Sequence, residues 1–257
     1  MKEDMKDTLI SHFDKDALKN DSEEKIKVYG SEVNNEFLRA PYEYIEDNLL
    51  NGIENKKILD YCCGTGLYSI LPAVRNAHIF GIDFSDKSIE IAKQRADLFN
   101  VSNNCNFTVG DAEELDFEDN MFDLVLSYGS LSYLNLDKSF KELKRVLKPS
   151  GKVIVVDSLG HNPLINYNRR RNIKNYAPEY LDELKTITHK DLDISLKYFS
   201  SYNIKYFDLL TLFGSLLNRQ SGYKIQPDKL IKIDNYLLKI PILKSLAFKF
   251  VCEISAD

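Results

Sequence analysis

The segment Ile58-Leu59-Asp60-Tyr61-Cys62-Cys63-Gly64-Thr65-Gly66 constrains the fold of this chain more than any other. A short apolar run carries an acidic residue near its end, and two glycines stand in the turn that opens the next helix. Glycine permits a tight turn and lets the backbone approach a ligand with no Cβ in the way. Nineteen residues after Gly64, at the end of the next apolar run, stands Asp83, followed by Phe84 and by Ser85, a candidate helix cap. Strand, glycine turn, helix, strand and carboxylate in that order describe an open sheet that holds a nucleoside across its strand tips.

The flanking pattern extends this unit. Apolar runs at 58–61, 78–82, 106–109, 122–127 and 152–156 alternate with helical spacing at 68–74, 88–99 and 139–147, which predicts β-α-β-α-β-β-α-β. Such alternation implies a mostly parallel sheet with helices on both faces. The run 153–156 is apolar at every position, as a central parallel strand should be, and the turn Pro149-Ser150-Gly151 is expected to precede it. Further strands are expected at 204–209 and 247–254, with a helix around 229–238. The fold class is therefore α/β, a Rossmann-like, doubly wound, mostly parallel seven-stranded sheet. Residues 1–52 should form an N-terminal helical cap, weakly amphipathic over 1–28 and helically spaced over 33–51, with the main domain at 53–257. Regularity breaks after 160. A polar stretch rich in Asn, Arg and Tyr predicts an insertion over about 160–197, at the sheet edge where substrate sites collect.

A length of 257 residues suits one such domain with appendages. The net charge of -5 lacks the basic footprint of a general nucleic-acid binder, although a local patch stays open. The 4 cysteines, Cys62 and Cys63 adjacent among them, show no paired C-x-x-C spacing of a zinc site. The charged start does not read as a secretory signal, so a reduced, cytoplasmic protein without a bound metal is expected. The apolar stretch 240–251 is broken by Lys244 and Lys249 and is too short to span a bilayer.

The strand tips suggest a ligand. Asp83 can accept from both hydroxyls of a ribose. In Gly110-Asp111-Ala112-Glu113, after the third strand, Asp111 can accept from an adenine amine while a neighbouring N–H at Ala112 meets a ring nitrogen. Asp60 can bind a cationic amino group but would oppose a pyrophosphate. That argues against a nicotinamide dinucleotide, although Ser69, where its fingerprint wants a small residue, does not by itself exclude one.

With these residues the chain resembles the class I S-adenosylmethionine-dependent methyltransferases, over roughly 55–160. Their first motif is an acidic residue before Gly-x-Gly-x-Gly, which Asp60, Gly64 and Gly66 match. Cys62 takes the place of the first glycine, a fit that requires a negative φ there. The resemblance implies S-adenosylmethionine as cofactor, S-adenosylhomocysteine as product, and a cofactor site that also takes in Phe84 and Ser127. Asp157-Ser158-Leu159-Gly160-His161-Asn162-Pro163, with trailing arginines, is similar to a subgroup of small bacterial methyltransferases with a Gly-His-Asn-Pro segment after the fifth strand. His189 is the nearest counterpart of that subgroup's acidic-His-Pro-Leu run.

His161 is the first candidate for substrate contact or general base, because it follows a central strand on the cofactor side and an unperturbed imidazole suits proton removal near neutrality. A helix-capping or loop-packing histidine is the competing reading. Asn162 would orient it, and His189 is a second candidate. Arg169 and Arg170 match a phosphate or carboxylate on the substrate, against a solvated helix face as alternative. Tyr128 and Tyr133 would wall the pocket. The expected reaction is O-methylation of a hydroxyl on a small polar molecule such as a sugar or glycan precursor. The alternatives are an N-methyltransferase of a small amine and a nucleoside-binding protein without catalysis.

Overall fold

The computed structural model describes residues 3–19, 36–184, 186–214, 217 and 225–256. Among them seven strands form one sheet in the order β3-β2-β1-β4-β5-β7-β6. These are β1 (Lys57–Tyr61), β2 (His78–Asp83), β3 (Cys105–Val109), β4 (Phe122–Tyr128), β5 (Leu147–Ser158), β6 (Ser201–Phe207) and β7 (Lys249–Ser255). Strands β1 to β5 run parallel, while β7 is antiparallel to both β5 and β6. The order reverses between β1 and β4, and the crevice at that switch is where an open sheet binds ligands.

Each central strand buries both faces. Leu59, Tyr61, Val125, Val153 and Val155 pack into one core, and Ile58, Leu124, Leu126, Ile154 and Val156 into the other. The helices α1 (Glu3–Leu18), α2 (Ala40–Asn48), α3 (Ile70–Val74), α4 (Asp86–Leu98), α5 (Leu136–Val146), α6 (Pro163–Tyr176), α7 (His189–Leu192), α8 (Pro227–Leu237) and α9 (Pro241–Lys244) surround it. Ser85 caps α4 by accepting from the Ser88 N–H, and Asn135 caps α5 by accepting from the Lys138 N–H. No helix among the described residues is long and apolar enough to cross a membrane.

Three local expectations are corrected. The helix expected over 33–51 occupies Ala40–Asn48, its start set by Pro41 in the first turn, and 33–35 lie outside the described residues. The turn at 149–151 is a bulge within β5, where the register steps from Phe122↔Leu147 to Leu124↔Lys152. Strand β6 occupies Ser201–Phe207 rather than 204–209, and it ends before Asp208, whose φ of 63° breaks the extended backbone. The polar stretch after 160 forms α6, a helix that periodicity hides because it buries little beyond Ile173.

Helix α1 lies across the sheet's carboxyl edge. Met5 and Leu9 pack with Ile173, Ala177 and Leu184, while Ala17 meets Ile91 on α4. The cap thus bridges the two sides of the β1–β4 crevice.

Candidate functional site

One cavity of about 310 Å³ opens at the tips of β1, β2, β3 and β4, beneath α1. Its floor is the turn after β1, where Cys62, Gly64 and Gly66 all have left-handed backbones, with φ of 58°, 50° and 68°. A Cβ on Gly66 would lie 2.8 Å from the Ala92 Cβ, so glycine there lets α4 approach. A Cβ on Gly64 would meet nothing within 4 Å, which leaves that backbone bare toward the cavity. The Arg95 guanidinium of α4 braces the turn, donating to the Thr65 carbonyl and, at 2.8 Å, to its hydroxyl. The negative φ required at Cys62 is corrected: the backbone keeps the conformation that suits glycine, with a cysteine in it. Burial pushes the Cys62 thiol well above its ordinary range, so it is protonated and no nucleophile.

Asp60 is buried, and the Ser69 hydroxyl donates to it. Burial raises its carboxyl to about 7, against the opposing Ser69 hydrogen bond and with a further contribution from Asp83. Asp83 accepts from the Gly64 N–H at 2.9 Å and from the Ser85 N–H at 3.0 Å, one on each oxygen. Burial outweighs these bonds and leaves its carboxyl above the usual range. Asp111 accepts from the Glu113 N–H and from the Lys6 ammonium, both at 2.8 Å. Burial alone would raise it, but those two donors outweigh it and hold the carboxyl below its ordinary range. Ala112 is fixed by the Tyr61 hydroxyl, which donates to its carbonyl at 2.6 Å.

Asp60, Cys62, Gly64, Asp83, Phe84, Asp111, Ala112, Tyr128 and Tyr133 are thus brought to one cavity. Gly66 supports the turn from behind. Ser127 is fully buried beneath the wall, 2.7 Å from Ser130, and it is Ser130 that faces the cavity. Tyr128 stacks on Tyr68 with centroids 3.9 Å apart, and Tyr42 lies behind Tyr68 at 5.2 Å. Lys6, Leu9 and Phe13 of α1 form the roof, with Phe13 edge-on to Phe84 and Tyr133.

The residues expected to do chemistry lie elsewhere. Among the described residues, neither His161, Asn162 nor His189 lines the cavity. Asn162 is buried and donates to the Leu246 carbonyl at 2.7 Å, which turns the chain away after Gly160. The His161 and His189 rings pair at 4.7 Å, and His189 meets the Tyr206 hydroxyl at 3.0 Å. Arg169 stacks over Tyr133 at 4.7 Å and donates to Ser132, so it backs the wall. Arg170 pairs with exposed Asp182 at 3.2 Å. Sequence reasoning missed Lys6, Phe13, Tyr68, Ser130 and Arg95; the weak amphipathicity over 1–28 marked a cap but not what it covers.

A family model described as a methyltransferase domain matches residues 53–205. The sterol 4-C-methyltransferase strm-1 of Caenorhabditis elegans is 36% identical over 110 residues, which is 42% of this chain and 33% of that protein. The ubiquinone/menaquinone biosynthesis C-methyltransferase UbiE of Geotalea daltonii is 26% identical over 182 residues, 69% of this chain and 64% of that one. The chain therefore spans between 33% and 64% of the length of these relatives. The fold is similar to that of geranyl diphosphate C-methyltransferase from Streptomyces coelicolor A3(2), with a TM-score of 0.62 and 15% identity, over 85% of this chain and 79% of that one.

Proposed function

The chain belongs to the methyltransferase-domain family, the class I S-adenosylmethionine-dependent enzymes, and from there we propose that it methylates a small, flat, hydroxylated molecule with S-adenosylmethionine as donor. The observation that carries this reading is the Asp83 carboxylate, pinned by Gly64 and Ser85 beside a bare glycine backbone, with Asp60 and Asp111 facing the same cavity. Asp83 would hold the ribose hydroxyls, Asp111 and Ala112 the adenine edge, and Asp60 the cationic amino group. The bound cofactor supplies a methyl group activated by its own sulfonium charge, leaving S-adenosylhomocysteine. The chain's task is then to align the acceptor and exclude water.

The wall beyond the cofactor residues is aromatic and apolar: Tyr68, Tyr128, Tyr133 and Leu134. It favours a flat ring, and the names of the quinone and sterol enzymes above are in keeping with that. A sugar or glycan precursor with an anionic handle has less support, since Arg169 is engaged with Tyr133 and Ser132 and Arg170 with Asp182. No imidazole of the described residues lines the cavity to take a proton. An acidic enol or phenol hydroxyl, or the carbon conjugated to it, suits such a lining because it gives up its proton without an imidazole base. Calorimetry should show S-adenosylhomocysteine binding that Asp83→Ala abolishes. Incubation of the wild type with S-adenosylmethionine and a panel of phenols, quinols and sugar nucleotides should give methylated phenol or quinol, with NMR assigning oxygen or carbon. Equal affinity of both proteins for S-adenosylhomocysteine would end the cofactor assignment, and methylation confined to sugar nucleotides would end the acceptor assignment.

A further inference from the structure

Helix α8 is fastened to the domain by a buried carboxylate. Asp234 accepts from the backbone N–H groups of Leu209, Leu210 and Thr211 at 3.0, 2.7 and 3.1 Å, and Leu238 is buried beside it. With that side inward, the helical repeat turns Lys229, Lys232, Ile233 and Tyr236 outward. The chain continues in the same manner: Tyr236 is 71% exposed, Ile242 77%, and Ile233, Ile240 and Leu246 between 42% and 46%. Five large apolar side chains exposed among the described residues, Ile233, Tyr236, Ile240, Ile242 and Leu246, thus fall within one short stretch of chain, a concentration of the kind that accompanies interaction sites.

Its charge has one sign. Lys229, Lys232 and Lys239 are exposed within 227–246, joined by half-exposed Lys244, whose ammonium lies 5.6 Å from the Tyr206 ring centroid; the two acids there are Asp228, ion-paired with Arg39, and the buried Asp234. This stands out on a chain of net charge -5. We infer that the outward face of α8 and α9 docks on a bilayer surface rich in anionic phospholipid. Lysines beside exposed Ile and Tyr on short amphipathic helices suit headgroup depth, where the apolar side chains enter and the ammonium groups meet phosphates. A second copy is disfavoured as occupant, because a two-fold contact would set this cationic face against itself. The site lies at the same sheet edge as the cavity, since Lys249 at the start of β7 pairs with Ser158 at the end of β5. It does not depend on which methyl acceptor the cavity takes.

The test is flotation of the full chain with vesicles of phosphatidylcholine alone or mixed with phosphatidylglycerol. Binding is expected only to the anionic vesicles and should be lost at high salt. Ile242→Glu with Tyr236→Glu should abolish it, and Lys229→Glu or Lys232→Glu should weaken it at least about five-fold each. The chain has 0 tryptophans, so Tyr236→Trp gives a single indole reporter whose emission should shift to the blue on anionic vesicles. No binding by the wild type, binding that Ile242→Glu with Tyr236→Glu leaves intact, or an unshifted emission from the Tyr236→Trp variant would each overturn the inference. So would a dimer that the paired glutamate variant dissociates in the absence of any vesicle binding.

Discussion

The Lys6 ammonium lies 2.8 Å from a carboxylate oxygen of Asp111, 105 positions along the chain, and so ties helix α1 to the tip of β3. The residue proposed to receive the adenine amine is therefore held by the helix that roofs the cavity. A half-exposed ion pair contributes about 0.2–1 kcal/mol. Lys6→Ala should accordingly speed release of S-adenosylhomocysteine by up to about five-fold. Stopped-flow displacement at two ionic strengths checks this, because salt should narrow the difference between variant and wild type.

Asp60 links cofactor binding to pH. Its carboxyl sits near 7 because it is buried, and a cationic partner would favour the ionised form. Affinity for S-adenosylhomocysteine should therefore fall about tenfold per pH unit below 7, and Asp60→Asn should bind weakly with no such slope. Stability runs the other way. A folded-state pKa above the unfolded value gives a contribution complete below the ordinary carboxylate range and lost as pH rises through about 7. Asp60→Asn should raise Tm most at pH 8, less at pH 5, and leave it nearly unchanged only below the ordinary carboxylate value, near pH 3, as thermal unfolding at the three values will show.

Cys62 holds a left-handed backbone, with φ of 58°. That conformation costs a residue with a Cβ roughly 1–2 kcal/mol relative to glycine. Cys62→Gly should stabilise the protein by up to about 1 kcal/mol, since some thiol packing is lost. Cys62→Ala keeps the strain and loses the thiol, so it should destabilise. Urea unfolding of the pair distinguishes backbone relief from side-chain packing.

His161 and His189 face each other away from the cavity. Single alanine variants of either should leave kcat on the identified acceptor unchanged. A loss of about 10²-fold or more would restore the general-base role suggested by their place in the sequence.

The sheet and the three acidic strand tips were legible because each is local. An apolar run specifies a strand, a glycine pair specifies the turn, and a carboxylate at the run's end must emerge at the sheet's edge. What could not be read was direction and distance. Gly160 to Pro163 follows a well-defined strand, yet whether His161 turns toward the crevice depends on Asn162 bonding to Leu246, 84 positions on. The partnership of Lys6 with Asp111 is equally remote, and no periodicity encodes it. Cys62 shows a third limit: a left-handed backbone is invisible in the sequence where a residue other than glycine adopts it.

Strand β7 follows β6 in sequence but sits between it and β5. On a growing polypeptide β6 therefore leaves the ribosome before its hydrogen-bonding neighbour has been made. That half of the sheet must wait with open edges until residues 249–255 arrive. A nascent chain stalled between 207 and 249 should accordingly engage chaperones or self-associate, although its cofactor-facing half has already been synthesised.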